Sequence, residues 1–340
     1  MDRHVISTLL AVLPLLQAAS AGVSGDPMLR VTADRDAIYT PGSVRLTFQL
    51  TAAARLAGPY DLRITVYVAQ NKVREQIVTI TRAQPVSYDA PFPRVRETTR
   101  GSYRAELSLG SKLLEAQERP LALWPPRDLQ PVTPYDGKVW VLDTSGALEA
   151  LLPQFGIKPA DASFQTVRDF GSPDIIFVGE YLDSVNMQTL IERRTETSKA
   201  PVVILLRQKQ LPEELEAAIS KKMDPCCPVV REPNGPLLKD LSGLDVMRLL
   251  GDANVVEVEK HVDRSIRSDL TAAREDARAI LSYLCVIEEA NRILLFCQLP
   301  AIARDDPRQM TLLGNLVEFA CRKADHADPN PKTRIERGKP

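Results

Sequence analysis

The spacing of apolar residues changes near residue 136, and that change constrains the fold more than any other feature of the chain. From residue 26 to about 122, apolar side chains recur at every second position in short runs. Such alternation buries one face of a strand and leaves the other in water. Beyond residue 136 the apolar residues gather into unbroken blocks, such as Val139-Trp140-Val141-Leu142 and Ile175-Ile176-Phe177-Val178. A strand that is apolar on both sides must be covered on both faces, as parallel strands between helices are. The 340 residues therefore read as about two domains of different construction.

The first domain spans 26–123. Its runs are Leu29–Val31, then Val44, Leu46, Phe48 and Leu50 after the turn Tyr39-Thr40-Pro41-Gly42, then Leu62, Ile64, Val66 and Val68. Val73, Ile77, Val78 and Ile80 give another strand, Tyr103, Ala105, Leu107 and Leu109 the next, and Leu113 to Leu123 the last. Six or seven strands in about 95 residues suit an immunoglobulin-like β-sandwich. Tyr39, Tyr60, Tyr67, Tyr88 and Tyr103 are dispersed, so they form no stacking platform for sugar rings. A stiff, proline-rich linker follows at 124–135, carrying Trp124, Pro125, Pro126, Pro131 and Pro134, with Pro120 leading into it.

The second domain spans 136–323. Lys138–Asp143, Phe164–Val167, Asp174–Gly179 and Pro201–Leu206 read as strands. Ala147–Gln154, Met187–Thr195 and Pro212–Lys221 read as the helices between them. This alternation predicts an open, mainly parallel α/β sheet. Val255–Glu259 is a further strand, Ala279–Glu288 and Arg292–Leu299 form a hairpin, and a final helix covers Pro307–Ala324. A polar tail occupies 324–340.

The amino terminus bears on the compartment. Arg3 and His4 precede an apolar run from Val5 to Leu16, and Ala19-Ser20-Ala21 supplies small residues for cleavage after Ala21. That is the grammar of a cleavable secretory signal peptide over 1–21, too short to span a bilayer. The mature protein is expected to be secreted or periplasmic, without stable membrane insertion. The five cysteines, Cys226, Cys227, Cys285, Cys297 and Cys321, cannot all pair internally. Cys285 and Cys297 flank the predicted hairpin. They either face each other or, with Cys321, serve as small core hydrophobes.

Charge excludes one class of partner. Lys+Arg 43 against Asp+Glu 44 leaves no positive excess to displace counterions from nucleic acid. Three histidines and no C-x-x-C or H-E-x-x-H spacing leave no metal motif, and no glycine-rich phosphate loop is present. No cofactor is expected.

In open α/β sheets, ligands bind beyond the carboxyl ends of the strands. Here those ends carry Asp143, Thr144, Ser145, Gly146, Glu180, Arg207 and Gln208. These are the candidate ligand-binding residues, with the Ser145 and Gly146 amides aimed at an anion. The plainer reading is that Thr144 and Ser145 cap a helix and Arg207 pairs with Asp143 or Glu180.

The order of elements resembles the class I glutamine amidotransferase-like superfamily. More narrowly, it is similar to the related non-enzymatic domain of beta-galactosidase trimerisation regions and secreted bacterial glycoside hydrolases. The likeness is carried by Lys138–Gly146, Asp174–Gly179, Asn234–Leu241, Leu249–Asp252, Arg292–Leu299 and Leu312–Leu316. It implies a flavodoxin-like sheet, a link to glycans and, since the related beta-galactosidase domains form trimers, an oligomer of like chains. Active members of the superfamily place a nucleophilic cysteine on a strained bend after the fourth core strand, served by a histidine near the last strand. Here the fourth strand runs into Arg207-Gln208-Lys209-Gln210 and the last ends in Gln298-Leu299-Pro300. Cys226 and Cys227 follow the next expected helix, and His261 lies in a charged stretch. A triad without its nucleophile and base does not work, so no residue is assigned as catalytic. The expectation is a secreted, non-catalytic binding or assembly protein with a protein or glycan partner. The alternative is a hydrolase that uses Asp143 and Glu180 as its carboxylate pair.

Overall fold

The computed structural model describes residues 26–54, 59–81, 84–126, 134–161, 173–182, 202–215, 217–220, 228–232, 235–251, 253–260, 264–272, 279–289 and 292–326. The expected leader at 1–21, the strand over Phe164–Val167, the helix over Met187–Thr195, Cys226, Cys227, His261 and the end of the tail fall outside them. The protein is mainly β, built from several sheets with few helices. No helix among the described residues is long and apolar enough to cross a membrane. The chain divides into two compact units.

The first unit holds the chain to Asp36, Gly42–Pro93 and Thr99–Ala122. Strands β1 (Leu29–Ala33), β3 (Gly42–Leu50) and β6 (Val86–Phe92) form one antiparallel sheet with β3 in the middle. Strands β4 (Tyr60–Val68), β5 (Asn71–Ile80), β7 (Thr99–Leu109) and β8 (Lys112–Trp124) belong to another, in the order β8-β7-β4-β5. The alternation is visible in burial. Val44, Leu46, Phe48 and Leu50 are buried on β3 while Ser43, Arg45 and Gln49 face water. Tyr103, Ala105 and Leu107 do the same on β7.

Three details depart from the sequence reading. Strand β6 was not expected, because Asp89 and Pro91 interrupt its apolar pattern; Ala90 and Phe92 alone supply its buried face. Strand β5 forms as expected, but at the edge of its sheet Val73 and Ile77 remain exposed, so they are not core residues. Pro120 lies inside β8 rather than in the join.

The second unit takes in β2 (Ala37–Tyr39) with the rest of Ala37–Pro41, Arg94–Thr98 and everything from Leu123 onward. Buried Thr40 ties three of its segments. The Thr40 amide and hydroxyl both donate to the Trp124 carbonyl at 2.9 Å. The Val95 amide donates to the Thr40 hydroxyl at 3.0 Å.

A ten-stranded sheet dominates this unit. Its parallel half is β10 (Pro159–Asp161), β9 (Val139–Leu142), β11 (Ile175–Val178), β12 (Val202–Leu206) and β18 (Ile293–Cys297), in that order. Beyond β18 the pairing turns antiparallel through β17 (Ala279–Glu288), β15 (Val255–Glu259) and β13 (Ala217–Ser220). Strand β16 (Ser265–Ala272) also pairs with β17, and β14 (Pro228–Val230) with β16. The sheet is therefore mixed, not mainly parallel. The β17–β18 hairpin reverses the strand direction, since a tight connection joins only antiparallel neighbours.

The helices among the described residues are α1 (Ala147–Leu151), α2 (Gly243–Leu250) and α3 (Pro307–His326). α1 is shorter than expected and passes into a 3-10 turn at Leu152–Phe155, closed by Gly156 in the left-handed conformation. The helix expected over Pro212–Lys221 is absent. One 3-10 turn at Glu213–Leu215 leads into β13, whose Ala217 and Ile219 pack on the core. Alternation there outweighs the acidic residues that suggested a helix start. Trp140, Leu142, Ile176, Val178, Val203, Leu205, Val256, Val258, Ile287 and Phe296 form one core layer. Helix α3 lies against β11 and β12.

Candidate functional site

Because β9, β11, β12 and β18 run parallel, their carboxyl ends open on one edge of the sheet. Asp143, Arg207 and Gln298 directly follow β9, β12 and β18, and Glu180 stands one residue past the end of β11, after Gly179. The structure brings the predicted residues to one edge, but most of their polar atoms are already engaged with the protein.

Asp143 organises the turn after β9. Its Oδ1 accepts from the Ser145 amide at 3.0 Å and the Ser145 hydroxyl at 2.8 Å, and its Oδ2 accepts from the Leu148 amide at 2.8 Å. The Ser145 hydroxyl accepts in turn from the Ala147 amide at 3.2 Å. Asp143 and Ser145 thus satisfy the free amides of the first turn of α1. Thr144 is exposed. Gly146 takes the left-handed conformation at φ 69 and donates its amide to the Asp143 carbonyl at 3.2 Å. The two amides reserved for an anion are consequently spent on Asp143, and a five-residue helix offers no anion site.

Glu180 and Arg207 face each other after β11 and β12, with Nη1 3.5 Å from Oε2. Burial pushes the Glu180 carboxyl above its ordinary range. Arg207 pulls it back, Asp143 pushes it further up, and a hydrogen bond from the Ala301 backbone pulls it down. Glu180 is thus both partly desolvated and paired, and it feels the charge of Asp143.

Arg207 has a left-handed backbone, φ 40, which is strained for any residue with a Cβ. Two backbone hydrogen bonds fix it there. Its amide donates to the Cys297 carbonyl at 2.8 Å, and its carbonyl accepts from the Tyr181 amide at 3.2 Å. Gln208 turns inward and is fully buried. Its Nε2 donates to the Gly179 carbonyl at 2.7 Å and the Leu206 carbonyl at 2.5 Å, while its Oε1 has no partner among the described residues. Gln298 is also buried, and its Nε2 has no partner among the described residues.

Residues that sequence reasoning missed complete the edge. The exposed Tyr181 ring carries the Arg207 guanidinium 5.4 Å and the Lys209 ammonium 4.7 Å from its centre. Gly179 and Ala301 contribute through the backbone. The available signal was position: Gly179 and Tyr181 flank Glu180, and Lys209 stands two residues after Arg207.

Of the described cysteines, Cys285 and Cys297 are poor nucleophiles. Cys285 and Cys297 are free and buried, and burial pushes both thiols up to about 12. They do not face each other across the hairpin, since Cys285 is opposite Phe296 and Cys297 opposite Leu284. Cys321 is only partly buried, on α3.

No family model matches the chain, and no curated protein matches it. Several solved structures are weakly similar to the chain. The PmoD soluble domain from Methylocystis sp. matches at 13% identity and TM-score 0.22, over 30% of this chain and 94% of that one. A cycloisomaltooligosaccharide glucanotransferase from Paenibacillus sp. matches at 15% identity and TM-score 0.23, over 56% of this chain and 28% of that one. An FMN-binding beta-glucuronidase from Facaelibacterium prausnitzii matches at 10% identity and TM-score 0.22, over 53% and 28%. These weak neighbours comprise sandwich domains and glycoside hydrolase-like proteins. The chain spans less than a third of the length of the two enzymes.

Proposed function

We propose that the chain is a secreted, non-catalytic binding or assembly protein, accessory to extracellular glycan processing. In this reading the first unit is an immunoglobulin-like module. The second is a flavodoxin-like, amidotransferase-like domain that has lost its chemistry. One observation carries the loss: the strained turn after β12 holds Arg207, whose guanidinium is committed to Glu180. In the superfamily the chain resembles, a cysteine stands on such a bend. An arginine there supplies charge and hydrogen-bond donors but no nucleophile. The cationic pair around Tyr181 suits recognition of polar surfaces rather than bond breaking.

The hydrolase alternative has its own support. Glu180 is shifted in the direction a general acid needs and interacts with Asp143. Against it, both Asp143 oxygens already accept hydrogen bonds, Oδ1 from the Ser145 amide and hydroxyl and Oδ2 from the Leu148 amide in the first turn of α1. A carboxylate so engaged makes a poor nucleophile or base.

The purified protein, run on an array of extracellular glycans and against a panel of chromogenic glycosides and esters, separates the readings. The expected result is retention of at least one glycan class, no turnover, and retention unchanged by Glu180→Gln. Hydrolysis lost in Glu180→Gln and Asp143→Asn, with both variants folded, establishes the enzyme instead. An array without retention removes the glycan link.

A further inference from the structure

The carboxyl-terminal turns of α3 border a cavity of about 380 Å³, whose lining includes Pro236, Arg267, Glu318, Phe319, Arg322 and Lys323. It lies at the opposite edge of the sheet from Arg207. Lys323 reaches Glu288 at 2.6 Å, and Glu288 is opposite Ile293 at the start of β18, whereas Arg207 is bonded to Cys297 at its end.

Phe319 holds two cations from different elements against one ring. The Arg267 guanidinium, from β16, is 5.4 Å from the ring centre, and the Lys323 ammonium, from α3, is 5.8 Å away. Basic residues in the last turn of a helix ordinarily answer its carbonyl end. That accounts for Lys323 but not for Arg267, which arrives from the sheet. Arg267 Nε donates to buried Asp269 at 3.0 Å, while its Nη2 is buried without any hydrogen-bond partner among the described residues. A buried charged donor with no acceptor is rare in folded proteins.

The other two cations are weakly held. The Lys323–Glu288 and Arg322–Glu318 pairs are partly exposed, and such pairs give way readily to a competing anion. Guanidinium groups carry five donors, so Arg267 and Arg322 each keep donors beyond their carboxylate partners. The volume matches a metabolite-sized ligand, and Pro236 supplies an apolar wall.

We propose that this cavity binds a small molecule carrying a carboxylate or phosphate group on a compact apolar body. The oxyanion is clamped between Arg267 and Lys323, Arg322 turns toward it from Glu318, and the body lies against Pro236. The site is independent of the strand-end residues.

Isothermal titration of the full chain with phenyl phosphate, benzoate, inorganic phosphate and benzylamine tests this. Saturable one-to-one binding is expected for phenyl phosphate or benzoate, weaker binding for inorganic phosphate, and none for benzylamine. The phenyl phosphate and benzoate arms separate the two oxyanion sources. Lys323→Gln is expected to weaken binding about tenfold. Glu318→Gln is expected to tighten it a few-fold, because it frees Arg322 and removes a repelling charge. Glu180→Gln is expected to leave it unchanged. Arg267→Gln leaves Asp269 buried without its cation and risks the fold, so the half-exposed Lys323 and Glu318 carry the decision. No saturable heat with phenyl phosphate or benzoate overturns the proposal, as does equal affinity in Lys323→Gln, or benzylamine binding as well as the anions.

Discussion

A Cβ placed on Gly179 would stand 2.6 Å from Asp143 Oδ1. The two residues follow neighbouring parallel strands, and the missing side chain at one leaves room for the carboxylate at the other. Gly179 also accepts the Gln208 amide, so the ends of β9, β11 and β12 are linked through a single glycine.

Gly179→Ala should therefore displace the Asp143 carboxylate from the first turn of α1. The expected loss is about 1–3 kcal/mol for overpacking. Asp143→Ala alone should cost about 0.5–2 kcal/mol through the lost amide partners. In the double variant the carboxyl atoms at 2.6 and 2.8 Å are gone and only the Cβ of position 143, at 2.8 Å, is left to strike, so the loss should be less than the sum of the two singles. Urea unfolding of all four proteins measures the coupling. Additive losses would show that the close approach carries no energy.

Arg207 separates strain from pairing. Arg207→Ala removes the bridge to Glu180 but keeps a Cβ in a left-handed turn, whereas Arg207→Gly removes both. The glycine variant should be more stable than the alanine variant by about 1 kcal/mol. Equal midpoints in denaturant melts would mean that the turn relaxes to an ordinary conformation once the guanidinium is gone.

Glu180 gives the pH dependence a sign. Its folded-state pKa lies above its ordinary 4.5, so in that window the folded protein holds a proton that the unfolded chain has released. Stability from this group is full below 4.5 and declines as pH rises through the folded value. Glu180→Gln, which cannot titrate, lacks this decline. The unfolding free energy of the wild type should fall relative to the variant as pH rises from 4.5. Asp269 shifts upward as well, chiefly through burial, but it is common to both proteins and cancels in the difference. A pH-independent difference between the two would show that Glu180 titrates normally.

How much was legible depended on whether a signal was local. Val139–Leu142, Ile175–Val178 and Val202–Leu206 were readable because a strand buried on both faces must be apolar at every position. The capping role of Ser145 was readable because its partner Ala147 lies two residues on, but the cap expected of Thr144 is made by Asp143, whose carboxylate reaches the Leu148 amide. Strand β13 was not, because four residues after a proline and three glutamates carry too short a pattern, and its identity comes from pairing with β15. The role of Gly179 was equally hidden, since the contact that requires glycine arises between strands 36 residues apart. Nothing in the local sequence around Arg207 marks its left-handed backbone. The bonds that hold it come from Cys297 and Tyr181.

The thiols offer the sharpest test of the packing. Cys285 and Cys297 lie in the middle of the sheet, fully buried and protonated, with pKa values pushed up to about 12 by desolvation. A thiol reacts as its thiolate, so at pH 8 each is doubly protected, by its closed surroundings and by its proton. Cys321, on the partly open face of α3, lacks the first protection. Alkylation of the native protein with iodoacetamide at pH 8, followed by peptide mass spectrometry, should modify Cys321 and leave Cys285 and Cys297 free. In denaturant all three should react alike. Native modification of Cys297 at a rate comparable with Cys321 would mean that β18 opens to solvent. The strand that anchors Arg207 through its last carbonyl would then be no fixed support for the turn.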